Sequence, residues 1–198
     1  MPEFKLNFNN LENTTQTISK YIDNKNLILL KHSSDIYSQS NAISLKILLE
    51  QNFRGVYISF QRPLKNLDLW LEKNKLDKRK MIALDYSNSD RHKVSELYRD
   101  ILNSLSKLSG DKKFIFIDSI NTMALCNSEL WVDDFKDRLL DNLKSQTFEN
   151  TMIIVNVAEE LCKKNIVKNF ASYADGVIDF SNPTGEYSKD LIKNRVFN

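Results

Sequence analysis

Short apolar runs that alternate with amphipathic stretches of ten or more residues constrain this chain more than any other feature. Leu27–Leu30, Val56–Phe60, Met81–Leu84, Phe114–Ile117, Met152–Val157 and Val177–Phe180 are of strand length and mostly apolar at successive positions. Such runs, rich in β-branched and aromatic residues, predict strands buried on both faces. Between them lie helical stripes. Leu11, Ile18 and Ile22 mark a helix over 11–22, and Ile43, Ile47 and Leu48 mark one over 40–51 with Ser40 or Asn41 as its N-cap. Leu64, Leu67, Trp70 and Leu71 follow Pro63, which suits a first helical position. Val94, Leu97, Ile101, Leu102, Leu105 and Leu108 form the clearest stripe, closed by Gly110. Trp131, Phe135, Leu139 and Leu143 predict a helix over 130–143, residues 161–170 a further helix, and 191–197 a terminal strand. This order predicts an α/β architecture of three layers, a mostly parallel sheet with helices on both faces. Ligand sites in such folds lie at the carboxyl ends of the central strands.

The 198 residues suit one domain over 1–198, with a helical segment at 1–25 and an extension at 181–198. A net charge of +2 and 41% hydrophobic residues exclude a disordered chain and argue against a strongly electrostatic nucleic-acid binder. No apolar run approaches the ~20 residues that span a bilayer, and MPEFKLNFNN at the start has no signal-peptide pattern, so no membrane partner is expected. Cys126 and Cys162 are too few for a disulfide framework. They are expected as small buried side chains in a reduced, cytoplasmic protein. Four glycines argue against a glycine-rich phosphate loop.

Four segments carry a resemblance: LILL at 27–30, VYISFQRP at 56–63, FIFIDSIN at 114–121 and YADGVIDF at 173–180. In this order and spacing the chain, from about Leu27 to Val196, resembles the KaiC-like branch of the RecA superfamily of ATPases. The resemblance implies a RecA/KaiC-like P-loop NTPase fold and side-by-side assembly. The chemistry of that family needs GxxxxGK[ST], whose backbone N–H groups, Lys and hydroxyl hold phosphates and Mg²⁺. The corresponding stretch here, KHSSDIYSQSNA at 31–42, has no glycine and no lysine after Lys31. His32 and Tyr37 stand at the glycine positions, and Ser38 and Gln39 at those of the Lys and the Ser/Thr. Asp35 adds a negative charge where an anion would bind. The second strand ends Phe60-Gln61-Arg62-Pro63, without the carboxylate that positions water in the family. Asp118 matches the Walker B position. Capping of the following turn or helix is the structural reading of that residue, and it outweighs residual metal binding, since Mg²⁺ is usually held together with substrate phosphates. A degenerate Walker A, the loss of the P-loop and of ATPase activity, and no cofactor follow from these departures.

The remaining features have bland readings that outweigh the sharp ones. Lys193 and Arg195 match a Lys-x-Arg pair that in KaiC-like hexamers reaches the neighbour's nucleotide, but a basic chain end in solvent reads the same way. Lys78, Arg79 and Lys80 form a basic patch that suits the solvated end of a helix better than nucleic-acid phosphates. His32 and His92 lie far apart in sequence with no ligand spacing for zinc. Trp70 and Trp131 fit core stripes, and Glu159-Glu160 fit the opening of a helix. The expectation is therefore a non-catalytic regulatory, scaffolding or signal-relay module. Its partner would be a second copy or an active homologue. A divergent nucleotide-binding ATPase and a DNA-binding recombinase-accessory module are the alternatives.

Overall fold

The computed structural model describes residues 3–5, 11–22, 25–87, 93–144 and 150–180. The elements in chain order are β1 (Glu3–Lys5), α1 (Leu11–Ile22), β2 (Leu27–His32), α2 (Tyr37–Glu50), β3 (Arg54–Ser59), α3 (Leu64–Lys73) and β4 (Met81–Asp85). There follow α4 (Val94–Lys107), β5 (Lys113–Ile117), α5 (Ile120–Cys126), α6 (Glu129–Lys144), β6 (Thr151–Ala158), α7 (Lys164–Tyr173) and β7 (Gly176–Asp179). The strands form one sheet in the order β1-β7-β2-β6-β5-β3-β4. Every described pair is parallel.

The apolar runs predict the sheet's centre because both faces are covered. On β2, Leu27 and Leu29 enter one core and Ile28 and Leu30 the other. All eight residues of β6 are buried. The first core receives α4, α5, α6 and α7, through Leu97, Ile101, Met123, Phe135 and Phe170 among others. The second receives α1, α2 and α3, through Ile18, Leu45, Leu48, Leu67 and Leu71. Each such side chain contributes roughly 1.5–3 kcal/mol when buried. At Gly55, where β3 meets Phe114 of β5, a Cβ would sit 2.3 Å from the Phe114 carbonyl oxygen, so the pairing admits no side chain there.

Four local expectations shift. The helix expected over 40–51 begins at Tyr37, because a 3₁₀ turn at Ser34–Ile36 feeds straight into it. The helix expected from Leu161 begins at Lys164, because Glu159–Leu161 form a separate 3₁₀ turn. Strand β1 and helix α5 were not expected; Ser119 opens α5 by accepting a hydrogen bond from Thr122 N–H at 3.1 Å. Trp131 is half-buried and stacks on Phe135, with 5.7 Å between centroids. Cys162 is half-buried and free, while the side chain of Cys126, His92 and the strand expected over 191–197 lie outside the described residues.

Candidate functional site

The carboxyl ends of β2, β6, β5 and β3 bring together His32, the turn after Ala158, Asp118 and Ser59. No residue of 31–42 takes a positive φ. The chain leaves β2 through Ser33, makes the 3₁₀ turn and enters α2 with Ile36 at the N-cap and no side-chain cap. Two carboxylates from the end of β6 fasten this turn: Lys31 Nζ meets Glu159 Oε2 at 3.1 Å, and Ser34 N–H donates to Glu160 Oε1. Glu159 and Glu160 therefore reach across to β2 instead of opening α7. Burial raises the Glu160 carboxyl, but the hydrogen bonds from Ser34 and its own backbone outweigh it, and the group titrates below its ordinary range.

Asp118 is fully buried. Its Oδ1 accepts from Phe60 N–H at 2.9 Å, and Ser59 Oγ lies 3.1 Å from its Oδ2. The expectation that it caps the following turn is corrected: Ser119 does that, and Asp118 spends its oxygens on the end of β3. Burial pushes the Asp118 carboxyl above the ordinary range, against the hydrogen bonds from Phe60 and Ser59 and the positive charge of Arg62. Ser59 Oγ also faces the Arg62 carbonyl at 2.7 Å, so its one hydroxyl hydrogen is divided between that carbonyl and Asp118.

Side chains of α2, α3 and the β3–α3 loop lie over this carboxyl. The Arg62 guanidinium carbon is 4.9 Å from the Tyr37 ring centroid and 4.8 Å from that of Trp70. The Trp70 indole N–H donates to Ser38 Oγ at 2.7 Å. His32 meets Tyr37 with 5.4 Å between centroids and points Nδ1 at the Ser33 carbonyl, 3.1 Å away. That carbonyl accepts only, so Nδ1 carries the proton and Nε2 presents a lone pair. Burial lowers the His32 pKa, against the Ser33 hydrogen bond and Glu160. Burial and the Asp118 charge raise both Tyr37 and Tyr57 well above the ordinary phenol value. Several buried polar atoms here have no hydrogen-bond partner of normal geometry: His32 Nε2, the Tyr37 hydroxyl, both ends of the Asn41 amide and Arg62 Nη1.

The other sequence candidates lie elsewhere. Lys78 pairs with Glu72 at 3.0 Å, Arg79 with Asp77 at 2.9 Å, and Lys80 donates to the Leu49 carbonyl at 2.8 Å, so each cation of the patch has a local acceptor. Lys193 and Arg195 lie outside the described residues. Sequence reasoning missed Arg62 and Asn41; the arginine directly after Gln61 was the available signal. Among the described residues no group of His, Cys, Asp and Glu could hold a metal ion, and no helix is long and apolar enough to cross a membrane. At the opposite, amino edge of the sheet an open groove of about 610 Å³ is lined by Lys25, Phe53, Asp111, Lys112, Asn150 and Thr151 among others.

No protein-family model matches the chain, and no curated protein matches it by sequence. Solved structures do. The flagellar accessory protein FlaH from Methanocaldococcus jannaschii is 16% identical, with a TM-score of 0.58 over 82% of this chain and 76% of that one. The KaiC-like protein PH0186 from Pyrococcus horikoshii OT3 is 19% identical, with a TM-score of 0.53 over 78% and 70%. PH0321 from Pyrococcus horikoshii, solved in complex with an unknown peptide, is 14% identical, with a TM-score of 0.62 over 86% and 84%. At these identities the likeness concerns architecture, and with the parallel sheet and the site at its carboxyl edge it establishes that this chain has the RecA/KaiC-like fold.

Proposed function

We propose that this chain is a non-catalytic, cytoplasmic module of RecA/KaiC-like fold that works through protein contacts, in a regulatory, scaffolding or relay role. The observation that carries the reading is the content of the carboxyl edge, where Tyr37, Arg62 and Trp70 stack over a buried Asp118. A phosphate cradle needs an open loop of backbone N–H groups and a free cation beside it. Here the loop is a 3₁₀ turn held by Glu160, with Asp35 in it and no positive φ. The degenerate Walker A is the sequence counterpart of that turn.

Protein contact is supported by Leu125, Leu130 and Leu161, which stand 80%, 82% and 59% exposed around the α5–α6 junction and the turn after β6. A neighbour of the same fold was solved with a peptide. A second copy or an active homologue is the partner this reading favours.

Calorimetric titration of ATP with Mg²⁺ into the purified protein, with its mass in solution measured on the same sample, tests the reading. No heat and no thermal stabilisation are expected, together with a mass above that of one chain or capture of an active homologue. Tight, Mg²⁺-dependent binding, or hydrolysis abolished by Asp118→Ala, overturns it in favour of a divergent ATPase.

A further inference from the structure

We propose that the carboxyl edge is a guanidinium-binding cage, and that Arg62 fills it in cis. The inference deepens the functional reading above and rests on it, because it names what occupies the edge.

The cage has two aromatic walls, an acidic floor and a fixed tether. Tyr37 from the start of α2 and Trp70 from α3 both face the guanidinium, at 4.9 and 4.8 Å from its carbon. Both rings are held independently of Arg62, Trp70 by its bond to Ser38 and Tyr37 by contact with His32. The floor is Asp118, close enough to feel the Arg62 charge. The tether is the backbone of Arg62, whose N–H donates to Ser59 Oγ at 3.1 Å and whose carbonyl accepts from it at 2.7 Å. Three separate elements thus converge on one side chain, and a fourth holds its backbone.

The geometry selects a guanidinium over an ammonium. A planar, weakly hydrated cation stacks on aromatic faces without losing a tight hydration shell, whereas a compact ammonium keeps its water. The walls and floor belong to residues other than Arg62, so the recognition survives removal of the tethered ligand. Arg62 Nη1, the Asn41 amide and the Tyr37 hydroxyl are buried without a hydrogen bond of normal geometry. Those atoms can bond a guest that brings its own hydrogen-bonding groups once the Arg62 side chain is removed. The chemical class is any guanidinium carried on a small stem, including an arginine presented by another chain once Arg62 is withdrawn.

The experiment removes the tethered ligand and supplies a free one. Arg62→Ala is titrated with methylguanidinium at low millimolar concentration, with methylammonium as the control, and Tm and tryptophan fluorescence are read. A Tm lowered by several degrees and restored saturably by methylguanidinium but not by methylammonium is expected. Wild type is expected to show no saturable response, and Arg62→Ala combined with Trp70→Leu no restoration. Equal response to both cations, no restoration, or an unchanged Tm overturns the proposal. If Arg62→Ala does not fold, NMR of the wild-type side chain decides. Separate, ring-shifted Arg62 Nη signals are expected, and a single averaged, solvent-like signal overturns it. ATP binding by wild type is a different result: it would sink the functional reading, while failed restoration sinks only the cage.

Discussion

At the carboxyl edge of the sheet Asp118, Asn41 and Tyr57 are fully buried. At the amino edge Asp111 and Lys112 stand exposed around an open groove. The fold places ligands at the carboxyl edge, where the described residues pack their own side chains together, while an open groove among the described residues lies at the other end. What distinguishes the carboxyl edge is buried polar chemistry, because each buried group must be matched by a partner and so fixes its neighbours.

Mutations at the two edges sharpen this contrast. The largest effect is expected from Trp70→Ala, which removes a buried ring, its bond to Ser38 and its contact with Arg62. A loss of about 3–5 kcal/mol in urea unfolding is predicted. Asp118→Ala leaves the buried Phe60 N–H without its acceptor and takes one of two from Ser59 Oγ; about 2–4 kcal/mol is predicted, while Asp118→Asn is nearly neutral. At the amino edge, Asp111→Ala is predicted to stay within about 0.5 kcal/mol by the same measurement. A large loss there would break the comparison.

The pH dependence gives a smaller, signed test at the carboxyl edge. Folded Asp118 titrates above its ordinary 3.8, so the native state binds the extra proton and stability falls as pH rises from 3.8 through the raised value. Folded His32 titrates below its ordinary 6.5, so its contribution is complete above 6.5 and is lost as pH falls from there through the lowered value. Denaturant midpoints of Asp118→Asn and His32→Asn across this range should each lack one slope. If both variants keep the wild-type profile, these groups do not titrate as placed. A further small effect is expected from Asn150→Ala at the amino edge. Asn150 has φ 56°, and an alanine in the left-handed region costs about 1 kcal/mol.

The sequence made the central strands plain because β2, β5 and β6 are apolar on both faces, so each run needs no tertiary information to be seen. Strand β1 spans three residues and helix α5 seven, too short to show a period, although Ser119 and Thr122 carried a capping signal. The α2 start was misplaced because Ser40 and Asn41 read as the N-cap; the anchors of Tyr37 and Ser38 are Arg62 and Trp70, which lie in another part of the chain. Asp118 was legible as a strand-end carboxylate, but its partners Ser59 and Phe60 belong to a neighbouring strand. Glu160 looked like a helix opener and instead holds Ser34, a contact that no local pattern encodes.

The parallel pairing has a consequence for how the protein is made. Strand β2 is flanked by β6 and β7, so Leu27 meets Ile153 and Ile28 meets Gly176. Both neighbours of this strand are translated long after it. At about 5–20 residues per second, β2 waits on the order of ten seconds before either partner leaves the ribosome. Throughout that interval an unpaired, wholly apolar LILL run is exposed on the nascent chain, where it is a template for misassociation and a natural target for chaperones.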